Sequence, residues 1–358
     1  MIKLLIGGSP CTHWSIAQSK NRETKAEGLG WELFLNFVIA KEKFKPDFFL
    51  YENNWSASKE IKDQIQKELD CELMRINSKL VSAQNRDRFY VFNWDVKQPE
   101  DRGILLQNIL ESGIAYLNKC QCLTATYSKQ TVSEAQFAHS LDKKMRTMVA
   151  MPFNRNTNQC FGVAYRSRYE NGKNTKRFEG GSENKSNCLT TVQTDSMVAY
   201  PVEEAYLTEN MPIYKVENGL ISIKDKLYPI KLGNGYYIIR KLTPIECERL
   251  QTLPDNYTAA VSNTQRYKGL GNGWTAEVII HVLQGALKDV PKNEKIIVLS
   301  MYDGIATGRY CLDKMGFTNV EYYSYEIDKY AIKVATSNYP DIIQHGDAFQ
   351  VRNENWRI

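Results

Sequence analysis

The chain has 358 residues, 42% of them hydrophobic, and a formal net charge of +5, which is the composition of an ordinary globular protein long enough for two domains. Eight cysteines without paired C-x-x-C spacing exclude a disulfide framework and a zinc finger and favour a reducing setting. No stretch approaches the ~20 apolar residues of a membrane span, so we expect no membrane partner. The cysteine spacing likewise leads us to expect no metal.

The first third of the chain has the pattern of an α/β sheet. Residues 2–6 are a continuous apolar run closed by glycines, which predicts a buried strand, since the run is too short for a secretory leader. The polar stretch 12–30 predicts a mobile loop, and residues 31–40 predict an apolar helix. The pattern also predicts strands at 48–51 and 88–93 and an amphipathic helix at 59–69.

The character of the sequence changes between about residues 95 and 239, where Asn, Ser, Gly and Lys become frequent and apolar runs shorten. Residues 141–190 contain ten Lys or Arg against four Asp or Glu, with five interleaved rings, Phe153, Phe161, Tyr165, Tyr169 and Phe178. Basic side chains neutralise phosphates and aromatic rings stack on bases, so this segment is a candidate nucleic-acid face. A solvated, loop-rich insert would have the same composition.

The final third returns to the α/β pattern. An apolar strand at 296–301 runs into the turn Asp303-Gly304-Ile305-Ala306-Thr307-Gly308, and a helix begins near residue 310. The next two strands end at Glu326 and Asp347. Such an arrangement can bind an adenosyl ligand, because the turn lets the backbone approach it and the acid holds ribose hydroxyls. The turn alone could be purely structural, and three aligned strand ends favour the ligand.

Several short motifs follow one another in a consistent cyclic order. They are Pro10-Cys11, Glu52-Asn53, Gln84-Asn85-Arg86-Asp87-Arg88, Arg240 with Thr243 and Glu246, Arg249-Leu250-Gln251, and Gly271-Asn272. This order resembles that of the DNA (cytosine-5) methyltransferases, circularly permuted so that the opening cofactor motifs come last. Details at 7–11, 257–263, 273–274 and 303–308 resemble the animal de novo enzymes and their bacterial or phage relatives most closely. The resemblance covers 1–95 and 240–358.

The resemblance implies an α/β fold in which a Rossmann-like, circularly permuted methyltransferase sheet carries a second, smaller target-recognition domain. Residues 1–95 and 240–358 would form the two parts of the catalytic domain, and residues 96–239 would recognise the target. The implied reaction transfers a methyl group from S-adenosyl-L-methionine to C5 of cytosine. The implied partner is double-stranded DNA, from which the target base is flipped.

The resemblance also implies the roles of the catalytic residues. Cytosine C5 is a poor nucleophile, so Cys11 would add to C6 and create an enamine that attacks the methyl donor. Glu52 would donate a proton at N3, and Arg88 would stabilise the charge at O2. Arg86 would hold a loop or a phosphate.

Two further sets of residues follow from the resemblance. The cofactor would be held by Pro10, Asn272, Trp274, Tyr302, Asp303, Gly304, Ile305, Ala306, Thr307, Glu326, Asp347 and Ala348. The DNA would be contacted by Ser15, Asn53, Gln84, Arg240 and Thr243. The loop at 12–30 would close over the flipped base, and residues 96–239 would read the flanking sequence.

Three alternatives stay open. A tRNA cytosine methyltransferase would share the core, although its typical Cys-Phe-Thr signature is absent and the long basic insert favours DNA. An inactive DNA-binding relative would lack the nucleophile, the glutamate or the cofactor acids, all of which are present. A nicotinamide dehydrogenase would leave Cys11 and Glu52 unexplained. Frequent Asn, Lys and Ile suggest an AT-rich bacterial or phage genome, and hence the cytoplasm of a bacterium or of a phage-infected cell.

Overall fold

The computed structural model describes residues 1–15, 22–127, 132–143, 147–153, 161–170, 173–179, 197–199 and 212–358. In chain order the strands are β1 (Ile2–Gly7), β2 (Phe48–Asn54), β3 (Leu73–Asn77), β4 (Asp87–Phe92), β5 (Met148–Phe153), β6 (Phe161–Glu170), β7 (Lys173–Glu179), β8 (Met197–Ala199), β9 (Ile213–Glu217), β10 (Leu220–Ile223), β11 (Lys226–Pro229), β12 (Gly235–Lys241), β13 (Ile296–Met301), β14 (Val320–Tyr325) and β15 (Ile343–Gln344). The α-helices are α1 (Gly28–Phe44), α2 (Lys59–Leu69), α3 (Glu134–Lys143), α4 (Pro244–Leu250), α5 (Asn263–Asn272), α6 (Ala276–Leu287), α7 (Thr307–Lys314) and α8 (Lys329–Asn338).

A mixed seven-stranded sheet with the order β15-β14-β13-β1-β2-β4-β3 forms the main body of the fold. β1 pairs in parallel with β13 on one side and with β2 on the other, and β14 and β15 continue the parallel array beyond β13. β4 runs antiparallel between β2 and β3. The predicted α/β sheet is confirmed, and the last strands of the chain lie beside its first strand.

β1 shows why an uninterrupted apolar run forms a central strand. Leu4, Leu5 and Ile6 are all fully buried, although successive side chains of a strand point to opposite faces. Leu4 and Ile6 belong to the larger hydrophobic core, whereas Leu5 belongs to a second core on the other face. Helices therefore cover both faces of the sheet, as in other α/β folds.

The helix predicted at 59–69 is present with those bounds as α2. Ser58 caps it, because the Ser58 hydroxyl accepts a hydrogen bond from the Ile61 backbone N–H at 3.2 Å. Ile61, Ile65 and Leu69 recur at four-residue spacing and are buried against the sheet. Across the described ranges, no helix has the length and apolar character needed to cross a membrane.

The segment 12–30 differs from the predicted loop where the structure describes it. Residues Cys11–His13 form a 3-10 turn, Trp14 is fully buried, and α1 already begins at Gly28. The carboxylate of Glu23 accepts hydrogen bonds from the indole N–H of Trp14 and from the backbone N–H of Gly30. A buried tryptophan and a shared carboxylate thus hold both ends of the segment, whose residues 16–21 lie outside the described part.

A second body is built on antiparallel strands. β11-β10-β9-β12-β5 form a five-stranded sheet whose apolar face packs with α3 around its own core, and β7-β6-β8 form a three-stranded sheet. Residues between β4 and α3 pack instead on the larger core of the main sheet, through Leu106, Ile109, Cys120, Leu123 and Tyr127. The structure describes none of the five aromatic side chains of the predicted nucleic-acid face, so that face stays a prediction.

Candidate active site

The carboxyl ends of β1, β2, β13 and β14 meet at one edge of the main sheet, where a cavity of about 440 Å³ opens. Parallel strands send the loops that follow them to the same edge, so distant segments of the chain converge there. The antiparallel β4 begins at this edge and brings Arg88 to the cavity from the opposite chain direction.

Most of the residues predicted for catalysis and cofactor binding line this cavity. They are Pro10, Cys11, Glu52, Arg86, Arg88, Asn272, Trp274, Tyr302, Asp303, Gly304, Ile305, Thr307, Glu326, Asp347 and Ala348. Ala306 is fully buried beneath the turn, at the start of α7. The residues predicted to contact DNA, namely Ser15, Asn53, Gln84, Arg240 and Thr243, are not part of the lining.

The loop that carries Cys11 is fixed from below by polar side chains of β2. The Ser9 and Tyr51 hydroxyls are 2.7 Å apart, and the Asn53 amide donates to the Ser9 carbonyl oxygen at 3.0 Å. Gly8 allows this close packing, because a Cβ there would stand 2.7 Å from the Glu52 carbonyl oxygen. Asn53 therefore positions the loop from within the protein.

Glu52 is held by two donors at the centre of the cavity wall. Its Oε1 lies 3.0 Å from Arg88 Nε, and its Oε2 accepts the indole N–H of Trp274 at 3.0 Å. Both side chains of the ion pair are nearly buried, and Arg88 also donates to the Asp87 carbonyl oxygen at 2.8 Å. Burial disfavours the charge of Arg88, but the neighbouring Cys122 and Glu52 raise its pKa above the usual value. These contacts fix the position of the Glu52 carboxyl group in the cavity wall.

Arg86 ties three segments together with one guanidinium group. Its nitrogens donate to the carbonyl oxygens of Leu123 at 3.3 Å, Gly271 at 3.2 Å and Gly273 at 2.8 Å. Gly271 and Gly273 lie three residues and one residue before Trp274, so Arg86 holds the loop that presents this ring to the cavity. The predicted role of Arg86 in catalysis stays a prediction.

The turn after β13 is unusual in its backbone. Tyr302 and Ala306 both have a φ of 60°, a left-handed value that is costly for residues other than glycine, and Gly304 has a φ of 64°. Within the described ranges, no heavy atom lies within 4 Å of the position that a Cβ of Gly304 would occupy. The Glu326 carboxylate accepts the Gly304 N–H at 2.9 Å, which fixes the turn to the end of β14.

Asp303 is a buried carboxylate that three hydroxyl groups surround. It accepts hydrogen bonds from Tyr322 at 2.6 Å, Ser300 at 2.7 Å and Ser324 at 3.1 Å. Burial raises its pKa from 3.8 to about 6, although the three hydroxyl groups work in the opposite direction. Asp303 therefore braces the turn from beneath, in addition to lining the cavity.

The cavity wall carries polar and apolar groups that a ligand could contact. Two of its buried polar atoms, Thr307 Oγ1 and Gln265 Oε1, have no hydrogen-bond partner among the described residues, although buried polar groups normally have one. Ile327 follows Glu326 and is 75% exposed, which offers an apolar surface at the cavity. Among the described residues, no group of three or more His, Cys, Asp or Glu side chains could hold a metal ion.

Several predicted DNA contacts have partners within the protein instead. Arg240 and Glu246 form a buried ion pair with exposures of 3% and 0%, and the Thr243 hydroxyl caps α4. Gln84 is fully buried and accepts the Leu123 N–H at 2.9 Å. This arrangement does not support the predicted DNA contacts of Arg240, Thr243 and Gln84. Ser15 lies near the nucleophile loop, since its N–H donates to the Cys11 carbonyl oxygen at 3.0 Å.

Sequence reasoning missed part of the cavity wall. These residues come from α1, the α4–α5 region, α8 and the last turn of the chain, and they are Leu29, Leu33, Thr258, Gln265, Lys268, Tyr330 and Phe349. Isolated apolar or polar residues on helices carry no local motif. Their position depends on how the helices pack on the sheet edge.

Comparison with known proteins gives consistent results. The family model for "C-5 cytosine-specific DNA methylase" matches residues 1–288. The type II methyltransferase M1.ScrFI of Lactococcus lactis subsp. cremoris is 26% identical over 317 residues, which cover 82% of this chain and 64% of that protein. The orphan methyltransferase M.SPRI of Bacillus phage SPR is 21% identical, covering 77% of this chain and 80% of its own.

A plant protein matches over a shorter stretch. The DNA (cytosine-5)-methyltransferase DRM1 of Arabidopsis thaliana is 30% identical over 137 residues, which cover 37% of this chain and 21% of that protein. The chain thus spans less than two thirds of the Lactococcus protein and about a fifth of the plant protein.

Proposed function

The chain belongs to the family of C-5 cytosine-specific DNA methylases, and on this premise we propose that it transfers a methyl group from S-adenosyl-L-methionine to C5 of cytosine in duplex DNA. The observation that carries the proposal is the convergence of Cys11, Glu52 and Arg88 with the Asp303 turn on one cavity. A nucleophile, an acid and a cation on one side, with an adenosyl-type turn on the other, are the groups that this chemistry needs.

In the proposed mechanism the Cys11 thiol loses its proton and its sulfur adds to C6 of a flipped cytosine, which pushes electron density towards C5, N3 and O2. C5 would then take the methyl group and lose its own proton to a base, and the C6–S bond would break to release methylcytosine and restore Cys11. Glu52 faces N3 and supplies a proton there, while Arg88 stabilises the charge that develops at O2. Glu52 must be protonated for that step, and a neutral carboxyl group binds Arg88 less strongly than a carboxylate does. The flipped base therefore replaces part of the contact between Glu52 and Arg88. Trp274 keeps the carboxyl group in place through its second oxygen.

S-adenosyl-L-methionine, when bound, supplies the electrophilic methyl group. Glu326 lies at a strand end, where a carboxylate can accept ribose hydroxyl groups, and Asp347 is placed to accept from the adenine amino group. Gly304 leaves open space for the ligand, and Ile327 offers an apolar face to a ring. Thr307 and Gln265 provide polar atoms that lack hydrogen-bond partners in the part of the chain that the structure describes.

We further propose that the chain is a circularly permuted member of the family, related to the animal de novo enzymes. Support comes from the sheet, in which the turn-bearing β13 follows the rest of the catalytic residues in sequence yet lies directly beside β1. The antiparallel body within 96–239 would read the target sequence. A cytoplasmic site in a bacterium or an infected cell agrees with the bacterial and phage relatives.

The test is transfer of a labelled methyl group from S-adenosyl-L-methionine to defined substrates by the purified chain. Duplex DNA and tRNA are compared, with Cys11→Ser as the matched control. Label on cytosine C5 of DNA that depends on Cys11 supports the proposal. Label on tRNA alone would replace it with an RNA methyltransferase, and full transfer by Cys11→Ser would refute the covalent mechanism.

A further inference from the structure

Cys122 is a partly buried thiol between β4 and α3, and the proposed mechanism makes no use of it. Its Sγ lies 3.4 Å from Arg86 Nη1 and 3.9 Å from Arg88 Nη2. Both distances are within hydrogen-bond reach for sulfur. Two guanidinium groups at the wall of the cavity therefore converge on one sulfur atom.

Without a negative charge on this sulfur atom, the two positive charges of Arg86 and Arg88 are balanced only by Glu52. Arg86 and Arg88 are only 3% and 7% exposed, so both positive charges are buried. Glu52 is the partner of Arg88, whereas the other donors of Arg86 reach backbone carbonyl oxygens. Among the described residues, no second carboxylate lies within ion-pair distance of either arginine. Buried charges are normally paired, so this site favours one more anion.

We propose that Cys122 is held as a thiolate between Arg86 and Arg88 and thereby positions both guanidinium groups. Its value for catalysis rests on the function proposed above, in which Arg88 stabilises charge on the flipped base. Cys122 is a positioning residue, because it acts through the arginines and is not part of the cavity lining. Arg86 in turn holds the loop that carries Trp274.

The surroundings of Cys122 agree with this charge state. Burial disfavours its ionisation, but the two arginines outweigh burial and lower the pKa of Cys122 below the usual value. The other titratable groups nearby are Cys120 in the same segment, and Glu52 and Cys11 around Arg88. The sulfur also lies 3.4 Å from the adjacent Leu123 carbonyl oxygen, to which only a neutral thiol could donate, whereas a thiolate accepts more strongly from the two arginines.

The first test measures the ultraviolet absorbance of thiolates during a pH titration of the full chain. Wild type should show a thiolate step below the ordinary cysteine range, and Cys122→Ser should lack it. Cys71→Ser is the matched control, since burial raises the pKa of Cys71, and the low step should remain in it. Identical curves for wild type and Cys122→Ser would overturn the proposal. This readout does not depend on methyl transfer.

The second test compares the kinetics of Cys122→Ser with those of Cys122→Asp. Serine keeps the size of the side chain and loses the charge, whereas aspartate keeps the charge. We expect kcat to fall about tenfold to a hundredfold in the serine variant, with little change in KM for the methyl donor, because charge-assisted hydrogen bonds to both arginines are lost. Aspartate should restore most of the loss and move the acid limb of the pH profile to lower pH.

A serine variant as active as wild type, or more active than the aspartate variant, would overturn the proposal, because only shape would then matter. If wild type itself transfers no methyl group to DNA, the proposed function fails, and the absorbance titration still decides the charge of Cys122.

Discussion

Replacing Asp303 by asparagine should remove a pH dependence from the stability of the fold. Burial raises the pKa of Asp303 from 3.8 to about 6 in the folded protein, so the folded state binds this proton more tightly than the unfolded chain does. The stabilising contribution of the protonated acid is fully present below 3.8 and is lost as the pH rises through about 6. Because a tenfold change in a binding constant corresponds to about 1.4 kcal/mol, the amplitude is roughly 3 kcal/mol.

The assay is urea unfolding of wild type and Asp303→Asn at a series of pH values across this window. The difference between their free energies of unfolding should rise with pH in favour of the variant, by about 3 kcal/mol in total. Other carboxylates are common to both proteins and cancel in that difference. Asp289→Asn, at an exposed position, is the matched control and should run parallel to wild type. A parallel curve for Asp303→Asn as well would refute the reasoning.

Three further substitutions test the packing and polar contacts at the site. Gly271→Ala should destabilise the protein by about 1–3 kcal/mol, because a Cβ would stand 2.3 Å from the Thr124 backbone and this overlap outweighs the gain of about 1 kcal/mol in helix propensity. Glu246→Gln should cost about 3–5 kcal/mol, since it removes the carboxylate charge that pairs with the buried guanidinium of Arg240. Both are measured by urea unfolding. Trp274→Phe keeps a ring but loses its hydrogen bond to the Glu52 carboxylate, so under the proposed mechanism kcat should fall about tenfold while KM for the methyl donor changes less.

The two substitutions that test stability have controls elsewhere in the chain. Gly233→Ala should be nearly neutral, because its nearest neighbour would lie 3.8 Å away, and equal losses for both glycines would contradict the steric argument. Glu217→Gln removes an exposed carboxylate and should change the free energy of unfolding by at most about 1 kcal/mol. If Glu246→Gln lost no more stability than Glu217→Gln, burial of the ion pair would not matter at Glu246. A larger effect of Trp274→Phe on donor binding than on kcat would show that Trp274 contacts the methyl donor and does not act by positioning Glu52.

The catalytic side of the site could be predicted from the sequence because its residues stand at the ends of strands. Apolar runs locate the strands, and parallel strands bring their ends to one edge. The position of Cys11, Glu52, the Asp303 turn and Glu326 at one cavity follows from that rule together with the family resemblance. Their chemical roles stay predictions.

Residues that act through tertiary partners could not be predicted in the same way. Arg240 has the same local signature whether it contacts DNA or pairs with a buried glutamate, and only the packing of β12 against α4 decides between them. The backbone carbonyls that Arg86 binds come from segments far away in sequence. Cys122 had no motif of its own, because its significance depends on two arginines that lie more than thirty residues earlier.

The most direct test of the central claim is a map of methylcytosine in DNA from a methylation-free bacterial host that expresses this chain, beside a host that expresses Cys11→Ser. We expect methylcytosine in one short sequence context with the wild-type chain and none with the variant, whose amount and folding are checked in parallel. Methylcytosine at the same level in both hosts, or none in either despite folded protein, would contradict the proposed reaction at Cys11.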